Sequence, residues 1–209
     1  MTGKEMSWVI GCYFLGCFTA GYYWVRWRTG KDIRLEGSGT VGARNAGRVL
    51  GPSGFLVTLL LDFCKGALAV QAGRLLGMDR EVLTMALLAV VIGHNWPFQL
   101  RFQGGKGLAV SLGALLTYDY FVLVVLVTLF LPLWAVTRSL TLSAMFAYSI
   151  APLMVFLCSL GPLETFAVSV TSMLVVFAHR KNIREELGRI ISDRPRKEPA
   201  RHRPEQGSS

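Results

Sequence analysis

This sequence predicts an all-helical integral membrane protein with about seven crossings, one of them short, and active-site loops gathered at one face. Three observations carry that prediction. Hydrophobic residues make up 52% of the chain and charged residues only 17%, an apolar balance foreign to a soluble domain of 209 residues. The apolar residues fall in runs of near-bilayer length. Between those runs lie three short polar clusters: Gly37 to Asn45, Gly93-His94 with Gly104 to Gly107, and His179 to Ile183. A soluble helical protein with a greasy core fits this pattern poorly.

A helix needs about 20 apolar residues to cross the hydrocarbon layer. Residues 6–27 meet that length and end in an interfacial belt of Tyr22, Tyr23, Trp24, Arg26, Trp27 and Arg28. Residues 54–76 form a second span that carries Asp62 and Lys65 inside it. Residues 82–98 form a third, stopped by Pro97. Residues 108–117 are apolar but short, so they cross with help from the preceding glycines or re-enter. Residues 120–136 and 140–160 follow, the latter with a kink expected at Pro152, and residues 163–177 complete the set. The membrane part is expected over 1–191. Residues 192–209, rich in Arg, Pro, Glu and Ser, read as a disordered basic tail.

Charge placement orients the chain. Of the 22 lysines and arginines, all but Lys4, Lys65, Arg74 and Arg80 lie in or beside loops 28–53, 99–107 and 137–139 or after the last span. Seven crossings put those segments on one side, so the C-terminus is expected in the cytoplasm and the N-terminus outside. The same count places all three polar clusters at the cytoplasmic face. The net charge of +9 is thus topogenic and suited to anionic lipid headgroups, and nucleic acid is not an expected partner. The four cysteines, Cys12, Cys17, Cys64 and Cys158, sit in or beside apolar runs without metal-site spacing.

Each cluster has the chemistry of phosphate capture. Gly37, Gly39 and Gly42 let backbone N–H groups approach an anion, while Ser38 offers a hydroxyl and Arg48 a planar fork. A flexible glycine turn with topogenic arginines is the competing reading. Gly104, Gly105, Lys106 and Gly107 open an apolar helix, where glycine amides and a lysine suit an anion. The GxxxxGK[ST] spacing is absent, which disfavours ATP hydrolysis. His179 and Asn182 share a face if the last helix continues past the membrane. His179 suits a general base, a phosphate ligand or a carboxylate partner. His94 is at least as well suited to a structural role. Asp62 and Lys65 share one helix face and are expected to form an internal ion pair that supports the site.

Taken together, the clusters resemble the acyl-phosphate:glycerol-3-phosphate acyltransferase family of bacterial membranes, over roughly residues 37–183. The stretch GSGTVGARN from Gly37 is similar to the family's GSGNxGATN. Asp62 to Gly66 fits its DxxKG element. Gly93-His94-Asn95-Trp96-Pro97 followed by GGKG resembles its second motif, and His179 to Ile183 the start of its third. The resemblance implies transfer of an acyl group from acyl phosphate to glycerol 3-phosphate. The products are lysophosphatidic acid and phosphate, at the start of phospholipid synthesis, with no cofactor and no metal. It implies that Ser38, Lys106 and His179 are catalytic. It also implies that Gly37, Gly39, Asn45, Arg48, His94, Gly104, Gly105, Gly107 and Asn182 hold substrate phosphates, while the spans admit the acyl chain from membrane lipid.

Thr40 and Arg44 depart from the family pattern, where Asn and Thr are typical, as does Gln103 before GGKG. Glu185 to Arg189 also lack the usual register of a glycine and a glutamate. Two alternatives stay open: a divergent non-catalytic paralogue, and a membrane partner or transporter for a phosphorylated metabolite. A transporter is expected to carry polar residues near mid-membrane in symmetric halves, and neither feature is visible.

Overall fold

The structure, a computed structural model, describes residues 1–192. It is built of eight α-helices: α1 (Gly3–Cys17), α2 (Ala20–Thr29), α3 (Ala43–Leu75), α4 (Arg80–Asn95), α5 (Leu108–Tyr118), α6 (Tyr120–Thr137), α7 (Leu140–Leu157) and α8 (Pro162–Ser192). No strand occurs among the described residues. Five helices, α3, α4 and α6 to α8, are long and apolar enough to cross a membrane. The expected tail lies outside the described residues from 193 onward.

The first expected span is not one helix. It breaks at Phe18 and Thr19, which are extended (φ −67°, ψ 95° and φ −91°, ψ 100°). A break frees carbonyls that lipid cannot satisfy. Here Lys65 Nζ donates to the carbonyls of Gly16 (3.1 Å) and Phe18 (2.6 Å), and Gln99 Nε2 to that of Cys17 (2.6 Å). The donors come from α3 and from the turn after α4, so residues 6–27 alone carry no sign of the break.

The second span also departs from expectation. Helix begins at Ala43, so Asn45 and Arg48 sit on a helix rather than in a loop. Gly51 (φ 69°, ψ −157°) interrupts α3, and Pro52 restarts it. Proline suits the first turn of a helix, where its missing N–H has no partner to lose. α7, in contrast, runs on through Pro152. α8 continues well past residue 177, which meets the condition for His179 and Asn182 to share a face.

Small residues set the tightest crossings. A Cβ on Gly16 would lie 2.3 Å from the Val90 carbonyl oxygen, and one on Gly93 2.1 Å from that of Tyr13. α1 and α4 therefore touch backbone to backbone at two points. Gly66 against Val110 and Gly113 against Phe63 do the same for α3 and α5, at 2.0 Å and 1.9 Å. Such contacts suit a bilayer, where close packing rather than water drives association.

At the end of α5 remote from its glycine-rich start, arginines cap the helix. Arg74 Nη2 donates to the Tyr118 carbonyl at 2.9 Å, and Arg80 Nη1 donates to it at 2.6 Å. Arg80 also pairs with Glu164 (2.6 Å) and lies over the Tyr118 ring (3.8 Å to its centroid). One guanidinium thus ties α4, α5 and α8, and it fixes the short helix whose other end opens the site.

Candidate active site

Cluster one is a folded loop with Asn45 at its centre. The Asn45 side-chain Nδ2 donates toward the carbonyls of Ile33 (3.1 Å), Glu36 (3.0 Å) and Thr40 (2.8 Å), and its Oδ1 accepts from the Ser38 amide (2.9 Å). In this structure Asn45 organises the loop, because its amide is spent on backbone. Gly37 (φ 55°) lies against it, where a Cβ would come within 2.3 Å of Asn45 Oδ1. Arg34 fastens the loop to the turn between the two halves of the second cluster, donating from Nη1 to the Leu100 carbonyl at 3.0 Å. Asp32 accepts from Arg34 at 2.6 Å, and the adjacent guanidinium holds the Asp32 carboxyl below its ordinary pKa.

Cluster two rests on a buried ion network. Lys65 Nζ lies 2.8 Å from Asp62 Oδ1 and 2.9 Å from His94 Nδ1. An ammonium has only donors, so His94 Nδ1 accepts and its proton sits on Nε2. That nitrogen faces Gly105, where a Cβ would stand 1.9 Å from it. The Gly105 amide in turn donates to the His94 carbonyl at 2.9 Å. Gly105 is therefore required by close approach, and Gly105→Ala is expected to push the loop off His94. A displacement of that order lowers kcat/KM by about 10²-fold, which steady-state kinetics on the folded variant would measure.

Cluster three closes the site. Lys106 Nζ donates to Asn182 Oδ1 from across the cavity. His179 Nδ1 lies 2.9 Å from the Val175 carbonyl, which can only accept, so the ring proton is on Nδ1 and Nε2 keeps its lone pair.

Ser38, Asn45, Arg48, His94, Lys106, Gly107, His179 and Asn182 line one cavity of about 480 Å³. Gly37, Gly39, Gly104 and Gly105 are not in its wall; they shape the two loops behind it. The rest of the wall is largely apolar, with Phe55 and Leu59 of α3, Val127, Phe130 and Leu131 of α6, and Met145 and Tyr148 of α7. Four polar residues outside the site residues assigned from the sequence join it: Thr40, Asp62, Arg44, whose Nη1 donates to Thr141 Oγ1 at 2.6 Å, and Thr141 itself. Arg44 stands out in the sequence as a cation within a glycine-rich motif, whereas nothing local marks Thr141.

A bundle of apolar helices around a largely apolar cavity with Arg44, Arg48 and Lys106 in its wall defines an integral membrane protein suited to an amphiphilic anion. The sequence model of the family described as glycerol-3-phosphate acyltransferase matches residues 6–188. Glycerol-3-phosphate acyltransferase 1 of Desulfitobacterium hafniense (strain Y51) is 40% identical over 186 residues, covering 88% of this chain and 92% of its own. The Synechococcus sp. (strain JA-2-3B'a(2-13)) enzyme is 40% identical over 176 residues, covering 84% and 87%. A crystal structure of PlsY, an integral membrane glycerol 3-phosphate acyltransferase, in its glycerol 3-phosphate form superposes with a TM-score of 0.81 at 33% identity, covering 89% of this chain and 93% of that one. Its lysophosphatidic acid form superposes with a TM-score of 0.77 at 31% identity, with the same coverage. The chain belongs to the glycerol-3-phosphate acyltransferase family, and it is an integral membrane acyltransferase.

Proposed function

We propose that this protein transfers an acyl group from acyl phosphate to the 1-hydroxyl of glycerol 3-phosphate, releasing lysophosphatidic acid and phosphate as the first step of phospholipid synthesis. One observation carries the reading: three clusters far apart in sequence meet in a cavity whose polar end suits phosphates and whose apolar end suits a fatty chain. Relatives solved in glycerol 3-phosphate and lysophosphatidic acid forms support the acceptor and product. The charge asymmetry supports a site on the cytoplasmic side of the inner membrane, with the N-terminus outside.

Acyl phosphate is an activated anhydride, so the protein has chiefly to orient two anions and offset their repulsion. Arg48, Lys106 and Asn182 hold phosphate oxygens, and the loop glycines let the acceptor approach. The acceptor hydroxyl attacks the acyl carbonyl directly, and the phosphate leaves with the anhydride electron pair. The hydroxyl proton passes to His179 Nε2 or to a substrate phosphate. Ser38 Oγ has Thr40 Oγ1 (3.2 Å) as its hydrogen-bond partner among the described residues. With no base beside it among those residues, Ser38 is better placed to donate to an oxyanion or phosphate than to form an acyl-enzyme.

The test is phosphate release by purified protein given palmitoyl phosphate, with and without glycerol 3-phosphate, alongside detection of lysophosphatidic acid. Acceptor-dependent release with matching product is the expected result. Folded protein that yields no product across several acyl lengths overturns the reading in favour of a non-catalytic paralogue or a transporter.

A further inference from the structure

Catalysis of the proposed kind requires two phosphates in one cavity at once, and they differ in their surroundings. The phosphate of glycerol 3-phosphate is attached to a small polar body. The phosphate of an acyl phosphate is one carbonyl away from a long apolar chain, so it must sit where the polar wall meets the apolar one.

Arg44 is a cation of the cavity wall that is held beside apolar residues of α7. Its backbone belongs to the first turn of α3, beside the Ser38 loop, yet its guanidinium reaches across to α7 and is held on Thr141 Oγ1 at 2.6 Å. Thr141 is flanked in the cavity wall by Leu140 and Ala144, both apolar. A guanidinium has five N–H donors, and Thr141 is its one hydrogen-bond partner among the described residues. Arg44, Lys106 and His179 all line this one cavity.

We propose that Arg44, tethered by Thr141, binds the phosphate of the acyl donor and thereby separates it from the acceptor phosphate. The assignment rests on the acyl-phosphate reading above. The planar fork suits two phosphate oxygens, and the tether fixes its direction before substrate arrives. Lys106 and Asn182, at the start of α5 and on α8, are left to the acceptor side.

The experiment compares the wild-type protein with Arg44→Gln and Thr141→Val. It measures KM for palmitoyl phosphate, KM for glycerol 3-phosphate, and equilibrium binding of hexadecyl phosphate, which has the donor's chain and phosphate but no acyl group to transfer. Loss of a charge-assisted pair predicts a rise of about 10- to 100-fold in donor KM and in the hexadecyl phosphate Kd for Arg44→Gln. Acceptor KM is expected to change by less than about 3-fold, within the range of an indirect effect. Thr141→Val keeps the charge and loses the tether, so it shifts the same two constants in the same direction by less. A rise in acceptor KM instead, or unchanged hexadecyl phosphate binding in both variants, overturns the assignment. Thr141→Val keeps the question decidable should Arg44→Gln fail to fold. If wild-type protein binds hexadecyl phosphate but transfers nothing, the acyltransfer reading fails while the binding comparison still decides the role of Arg44.

Discussion

Replacing Lys106 with alanine is expected to lower kcat/KM by about 10²- to 10³-fold, the loss typical of one donor aimed at developing charge. Lys106 comes just before Gly107 and the first turn of α5, and it reaches Asn182 on α8. Its ammonium therefore joins the second cluster to the third across the cavity. Because it lies in the connecting loop rather than within a span, its removal leaves the helix packing in place. Membrane insertion and thermal stability should be close to wild type. Lys106→Arg is expected to restore only part of the activity, since a planar fork cannot occupy the position of a compact ammonium beside Asn182. Acyl transfer by the purified variants, measured with palmitoyl phosphate, checks both. Full activity in Lys106→Ala would remove Lys106 from the mechanism.

Lys65→Met is expected to act through folding instead. Lys65 is 5% exposed and Asp62 1%. Removing the cation leaves the Asp62 carboxylate uncompensated, and breaking a buried pair costs roughly 3–5 kcal/mol. It also strips the Gly16 and Phe18 carbonyls of their donor at the α1–α2 break, a further loss where no water can substitute. Thermal unfolding in detergent or nanodiscs should show a large drop in midpoint for Lys65→Met. The double variant Asp62→Asn/Lys65→Met should recover part of it, because the stranded charge is gone while the carbonyls stay unpaired. A single variant as stable as wild type would show that the break does not depend on Lys65.

These two lysines also mark how far the sequence can be read. Lys106 is visible as a site residue because its neighbours are glycines and a helix follows, a local pattern. The Asp62–Lys65 pair is visible because two charges stand three positions apart within an apolar run. What Lys65 does besides is not visible, since its other partners are two backbone carbonyls 47 and 49 residues away and the His94 ring 29 residues away. Asn45 shows the same limit from the other side. Its place in a glycine-rich motif suggests a ligand contact, whereas the folded loop occupies its amide with three carbonyls and one N–H. Thr141 gives no signal at all, because a threonine at a helix start is ordinary until an arginine from α3 is set on it.

The class of the protein, the approximate extent of its apolar helices and the three polar stretches whose residues meet in the cavity are legible in the linear chain. Those properties follow from local composition and period, which each segment expresses whatever surrounds it. The three-dimensional packing alone breaks residues 6–27 into two helices, starts helix at Ala43 ahead of Gly51, and brings Arg44 and Thr141 into the cavity wall. Each of those outcomes depends on a donor, a carbonyl or a close backbone contact supplied from a distant part of the chain, and such a partner is set by packing rather than by neighbouring residues.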